Sequence, residues 1–188
     1  AHYSAREKRQ LSHCTLCPRN CGADRLAGFS GFCRSDAHLC ISSVCAHRGE
    51  EPVISGEKGI CNIFFPHCNL QCIYCQNYEI SRNVSDTLPS PVPYEELINT
   101  VCDRLDRTEN IIGFVSPSHF IPQMLAIIRG LRATGRDPVI VYNSNGYDKV
   151  ETLRSLEGLI DVYLPDFKYM DNELAKKYSQ AADYPEVA

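Results

Sequence analysis

From Ile60 onward the chain alternates short apolar runs with amphipathic stretches, and this alternation narrows the folds open to it. Ile60–Phe65, Ile111–Val115, Val139–Tyr142 and Ile160–Leu164 have the length and apolar content of buried strands. Between them Tyr94, Leu97, Ile98, Val101, Cys102 and Leu105 recur at helical spacing, as do Ile121, Met124, Leu125, Ile128 and Leu131. Pro122 stands near the start of the second stripe, where a missing N–H breaks no helical bond. Val150–Leu159 and Asn172–Gln180 read as further helices. Ser81–Pro93 reads as a polar linker, and Asp183–Glu186 shows neither helix nor strand signals. Four strand–helix repeats predict parallel βαβ units with right-handed crossovers, so the expected class is α/β.

In parallel α/β folds, functional groups gather in the loops after the carboxyl ends of strands. Four polar motifs fall at such positions. Cys68–Cys75 follows the first run, Ser116-Pro117-Ser118-His119 the second, Asn143-Ser144-Asn145-Gly146 the third, and Pro165-Asp166-Phe167-Lys168 the fourth. Strand alternation points Asp166 and Lys168 to the same side. Cys68, Cys72 and Cys75, spaced C-x3-C-x2-C, place three thiols in one loop. A closed 4Fe–4S electron-transfer site takes four cysteines, so three would leave one iron open to a small molecule. An electron-transfer or structural cluster, or zinc, is the competing reading of these thiols.

Residues 1–57 are rich in Cys, Gly, Arg and Ser, show little periodicity, and read as a small loop-rich module ahead of residues 58–188. Cys14, Cys17, Cys21 and Cys33 form a second set, C-x2-C-x3-C-x11-C, among turn formers such as Pro18, Asn20 and Gly22. Four thiolates suit structural zinc or an auxiliary iron–sulfur cluster, and unligated thiols are the third reading. Cys40, Cys45 and Cys61 are irregularly spaced and default to buried free thiols, and Cys102 belongs to a helical core stripe. His67 abuts the cysteine loop, where a structural role is expected.

The chain has 188 residues, a net charge of −4 and a pI near 5.9, which gives no electrostatic case for nucleic acid. It shows no apolar run of membrane-spanning length and no secretory signal pattern. Eleven cysteines are an odd number at ligand-like spacings, which argues for metal-bound thiolates in a reducing cytoplasm over a secreted disulfide scaffold.

The text C-x3-C-x-aromatic-C, with Tyr74 before the last cysteine, resembles the signature of the radical S-adenosylmethionine enzymes. The wider stretch, Phe64-Phe65-Pro66-His67-Cys68 through Cys75-Gln76-Asn77-Tyr78-Glu79-Ile80-Ser81, is similar to the branch named after the pyruvate formate-lyase activating enzymes. The resemblance runs from about Cys14 to the end of the chain. It implies a partial (β/α)6 barrel of which this chain supplies about four units, as the N-terminal part of a longer enzyme. It further implies that Cys68, Cys72 and Cys75 hold a 4Fe–4S cluster and that S-adenosyl-L-methionine occupies the fourth iron. Reduction by an external flavodoxin- or ferredoxin-type donor would then yield a 5′-deoxyadenosyl radical that abstracts hydrogen. The substrate would be a glycyl radical enzyme, another peptide or a small molecule. From outside this class, the alternative is a non-catalytic iron–sulfur or zinc module.

The chain departs from that branch at two turns. Aligned on Gln123, residues Ser116, Pro117, Ser118 and His119 replace a Gly-Gly-Glu-Pro-like turn that binds the methionine amine in the relatives. Neutral Ser116, Ser118 or His119 can accept a hydrogen bond there but offer no carboxylate. Asn143, Ser144 and Asp166 stand where the relatives place a monovalent cation, with Asn143 in place of an aspartate and the Leu164 carbonyl as a further ligand. The resemblance gives Lys168 a cofactor carboxylate or Asp166 as partner; a surface salt bridge is the competing reading.

Overall fold

The four apolar runs form the parallel part of one five-stranded sheet in the computed structural model, which describes residues 3–83 and 89–188. Residues 84–88 of the expected Ser81–Pro93 linker lie outside the described residues. The strands are β1 (Ser43–His47), β2 (Ile60–Phe64), β3 (Ile111–Val115), β4 (Val139–Ser144) and β5 (Val162–Pro165), adjacent in that order. β2 to β5 pair in parallel, as the alternation predicts, and β1 pairs antiparallel to β2 with Ser43 opposite Phe64 and His47 opposite Ile60.

Side-chain alternation gives the sheet two different faces. Cys61, Ile63, Ile112, Phe114, Ile140 and Tyr142 bury in the main core with helices α4 (Tyr94–Leu105) and α5 (Ile121–Ala133). Both helices bury the stripes read from their sequences, Leu97, Ile98, Val101 and Leu105 in one and Ile121, Met124, Ile128 and Leu131 in the other. The opposite face carries Ile60, Asn62 and Phe64 of β2 and, across the register, Gly113 and Val115 of β3 and Val141 and Asn143 of β4. Ile54 of the short helix α2 (Pro52–Ser55) packs against Ile60 and Val141 on that face. The strands' carboxyl ends remain open.

Several elements differ from the sequence reading. Helix α1 (Ala5–Ser12) lies in the stretch read as loop, closed by a capping box between Ser4 and Glu7. It buries Glu7 and Leu11, too narrow a stripe to register as periodicity. β1 also lies in that stretch, so the sheet begins before Gly59; its five residues are half-exposed or exposed and carry little apolar pattern. The helix read over Val150–Leu159 stops early, as α6 (Val150–Arg154), and turns lead to β5 through Gly158 at φ +72°. β4 continues through Asn143 and Ser144, which were read as a turn. Helix α7 (Asn172–Ser179) ends as expected, with Gln180 left-handed at its cap. The tail expected to be irregular forms a short helix, α8 (Tyr184–Val187), started by Pro185 and anchored by the buried Tyr184 ring against Tyr147, Phe167 and Tyr169. One further turn of helix, α3 (Tyr78–Ser81), follows the cysteine loop. Among the described residues, no helix is long and apolar enough to cross a membrane.

Candidate functional site

A cleft of about 750 Å³ opens at the carboxyl ends of the strands and takes lining residues from all four loops singled out in the sequence. Cys68, Cys72, Tyr74 and Cys75 come from the loop after β2, Ser116 from that after β3, Asn143 and Asn145 from β4 and its turn, and Asp166 and Lys168 from beyond β5. Asn62, Phe64 and Val115 form its inner wall.

The cysteine loop is fastened from several directions before any ligand is considered. His67 turns the chain at φ +63°, and Asn83 bonds both the N–H and the carbonyl of Cys68, at 3.2 and 2.8 Å. Backbone N–H groups of Gln71 and Ile73 donate to the carbonyls of Ser179 and Tyr178 at the end of α7. Arg19 spans the same junction, donating to the carbonyls of Asn69 and Gln180. Each thiol also has its own polar partner. Asn145 Nδ2 and the Leu70 N–H approach Cys68 Sγ at 3.4 Å, the Ser179 hydroxyl donates to Cys72 Sγ at 2.9 Å, and Cys75 Sγ lies 3.2 Å from the Ser81 hydroxyl. Burial pushes the Cys68 thiol up to about 12, with the Leu70 and Asn145 donors acting in the opposite direction. A thiolate at that position calls for positive charge brought by a bound metal.

The remaining candidates divide between the cleft and the core. Ser116 lines the cleft in a left-handed conformation, φ +46°. Ser118 and His119 are buried away from the lining. His119 Nε2 donates to the Pro66 carbonyl at 2.9 Å, bracing the entry to the cysteine loop, and burial lowers its pKa to about 3. Asn143 lines the cleft, whereas Ser144 points to the opposite face, where it and Tyr142 donate to the buried Asp148 carboxylate. Lys168 pairs with Asp166 at 2.6 Å on the cleft wall. Burial lowers the lysine's pKa, the Asp166 bond raises it, and the balance is upward.

Cys14, Cys17 and Cys33 are buried and Cys21 is exposed, and Cys17 feels the charge of all three others. Burial pushes the Cys17 thiol up to about 12. Beside them lies Arg25, 1% exposed, which donates to the carbonyls of Asp36 and His119 and reaches Cys14 Sγ at 3.9 Å. Among the described residues, no three His, Cys, Asp or Glu side chains converge as a single metal ion requires. The donor set of the cleft, three thiols from one loop with a polar partner for each, suits a larger sulfide-bridged group.

The sequence reading missed Asn62, Glu50 and His47 on the inner wall, and Ser81, Tyr169 and Ser179 behind the thiols. For Asn62 a signal existed: a polar residue in the middle of an apolar strand run. For Ser179, on the last turn of a helix more than a hundred residues beyond Cys72, none did.

No family model matches the chain. It is similar to an uncharacterized protein of Methanocaldococcus jannaschii, 33% identical over 184 residues, which cover 96% of this chain and 52% of that protein. The chain therefore spans about half the length of the curated relative it matches.

Proposed function

We propose that the chain carries the cofactor-binding part of a radical S-adenosylmethionine enzyme, built on a partial (β/α)6 barrel. The observation that carries this reading is the single cleft onto which Cys68, Cys72 and Cys75 open together with Ser116, Asn143, Asp166 and Lys168. Cys68, Cys72 and Cys75 would hold a 4Fe–4S cluster, with S-adenosyl-L-methionine at the fourth iron. When bound, that pair supplies a 5′-deoxyadenosyl radical upon one-electron reduction.

The chain's own residues would bind, orient and insulate. Asn145, Ser179 and Ser81 partner the three sulfurs and fix the loop. Lys168, neutralised by Asp166 at rest, offers a cation to an incoming carboxylate. Asn143 and Asp166 offer oxygens to a monovalent cation, in a site from which Ser144 is diverted to Asp148. Ser116 is the residue of the turn after β3 that faces the cleft and can accept from the methionine amine. The four N-terminal thiols lie beside Arg25 and would have to draw closer together to hold zinc or an auxiliary cluster.

A wire-type or purely structural centre needs no polar cleft beside it, which favours catalysis over the scaffold alternative. The mouth exposes Ile73, Tyr74, Phe167 and Met170, apolar contact area for an electron donor or for a peptide substrate such as a glycyl radical enzyme loop. The test is anaerobic: full-length protein reconstituted with iron and sulfide, then reduced, should release 5′-deoxyadenosine from S-adenosylmethionine, and Cys72→Ala should not. Cluster-loaded protein that leaves S-adenosylmethionine intact would overturn the proposal.

A further inference from the structure

The cleft extends past the cysteine loop along the inward face of β2 to a polar group that the radical chemistry leaves without a role. Asn62 stands in the middle of the strand, 2% exposed, and its Nδ2 donates to Glu50 Oε1 at 2.9 Å. With its NH2 turned to that carboxylate, the amide oxygen faces the other way, over Gly113, its register partner on β3. A methyl group at Gly113 would stand 2.1 Å from that oxygen, so the glycine is what lets the amide oxygen lie there. Among the described residues, Asn62 Oδ1 accepts no hydrogen bond. A buried carbonyl oxygen without a donor is unfavourable, and an arriving N–H relieves it.

Glu50 has a matching need. His47 Nε2 lies 4.0 Å from its Oε1, beyond hydrogen-bonding reach, and the lysine of the same cleft is held by Asp166 at 2.6 Å. An acceptor oxygen and a carboxylate side by side are together satisfied by a group that presents several N–H donors and a positive charge. Phe64 and Val115 on the same wall supply apolar surface for the carbon chain such a group would carry.

We infer that Glu50 and Asn62, seated over Gly113, form a subsite for a cationic nitrogen, an ammonium or guanidinium borne by the molecule on which the enzyme acts. The radical reading above makes that molecule a substrate; the binding itself requires only the cleft.

Argininamide is the probe, with N-acetylglycinamide as a neutral N–H donor for comparison, each titrated calorimetrically into full-length, cluster-loaded protein. Argininamide should bind saturably and more tightly than the neutral amide. Glu50→Gln should weaken it by on the order of tenfold, the loss of one charge-assisted contact. Gly113→Ala, whose methyl would displace the Asn62 oxygen while keeping Glu50, should weaken it as well, so the inference does not hang on one variant's folding. Equal binding of the two probes, no binding, or argininamide affinity unchanged in both variants would overturn it. Protein that binds argininamide yet fails to cleave S-adenosylmethionine would keep the subsite and remove the radical reading; cleavage without binding would do the reverse.

Discussion

Ser179, on the last turn of α7, donates its hydroxyl to the sulfur of Cys72 across 2.9 Å. That bond fixes the direction of a longer chain. Since the Ser179 proton points at sulfur, Ser179 must accept from Tyr169 at 2.7 Å, and Tyr169 in turn must accept from Tyr74 at 2.6 Å. Successive donors of this kind polarise one another, so the last donor in the series is strengthened. Donors to a ligating sulfur favour the more negative, reduced state of a cluster. On the proposed cluster, Ser179→Ala should therefore move the reduction potential to a more negative value, with Tyr169→Phe giving a smaller shift of the same sign. Potentiometric titration followed by electron paramagnetic resonance reads this directly. An unchanged potential in both variants would show that the hydroxyl series only shapes the loop.

His119 gives a pH dependence with a definite sign. Burial lowers its pKa from 6.5 to about 3, and its Nε2 proton is held by the Pro66 carbonyl. Below pH 6.5 the unfolded chain takes up a proton that the folded chain refuses, so stability is full above that pH and is lost as pH falls toward 3. One such group contributes a slope of at most about 1.4 kcal/mol per pH unit. His119→Gln, able to donate to Pro66 without titrating, should flatten the fall between roughly pH 4 and 6.5 in urea unfolding. A slope that survives the substitution would assign it to other groups.

How far the sequence disclosed this arrangement depended on how each residue contributes. β2 to β4 were legible because a strand buried on both faces is apolar almost throughout, β5 because its run is apolar although it lies half-exposed at the sheet edge, and α4 and α5 because one stripe of each enters the core. β1 was not, since its pairing with β2 is a matter of backbone bonds between residues that stay partly exposed. Among site residues, the loop cysteines carried their own spacing, but the partition of Asn143 and Ser144 to opposite faces became visible only once β4 was seen to run through both. Asp148, four residues past Ser144, captures that hydroxyl, and nothing local in the sequence announces the capture.

Helix α1 is tied to the body of the fold by Glu7, 3% exposed, which receives both guanidinium nitrogens of Arg129 on α5 at 2.6 and 2.8 Å. The arginine is about half exposed, so solvent screens the pair and full buried-pair energies do not apply. Glu7 also closes the capping box with the Ser4 N–H at 2.8 Å. Glu7→Ala removes both contacts together and should cost about 1–2 kcal/mol in chemical denaturation. Arg129→Ala keeps the cap but strands the buried Glu7 carboxylate, and should cost at least as much in the same measurement. A clearly smaller loss would show that the cap, not the ion pair, carries the effect.

Arg25 bears on what the N-terminal thiols hold. Among the described residues no carboxylate pairs with the Arg25 guanidinium, which is buried to 1% exposure and bonded to the neutral carbonyls of Asp36 and His119, so the counter-charge that burial demands is not supplied by them. Cys14 Sγ lies 3.9 Å from its Nη1, and the Arg25 charge also acts to lower the Cys33 thiol against the larger upward effect of burial. Thiolates in a metal-bound set carry net negative charge and would answer that cation. If these thiols hold a metal as proposed, Cys14→Ser in the full-length protein should release it while leaving whatever the Cys68–Cys75 loop binds. Elemental analysis against the parent distinguishes the two occupants: loss of one zinc per chain identifies a structural zinc site, and loss of iron with acid-labile sulfide identifies an auxiliary cluster. Identical metal and sulfide content in parent and variant would mean that the four thiols bind nothing, and Arg25 would then stand as a buried cation satisfied by carbonyls alone.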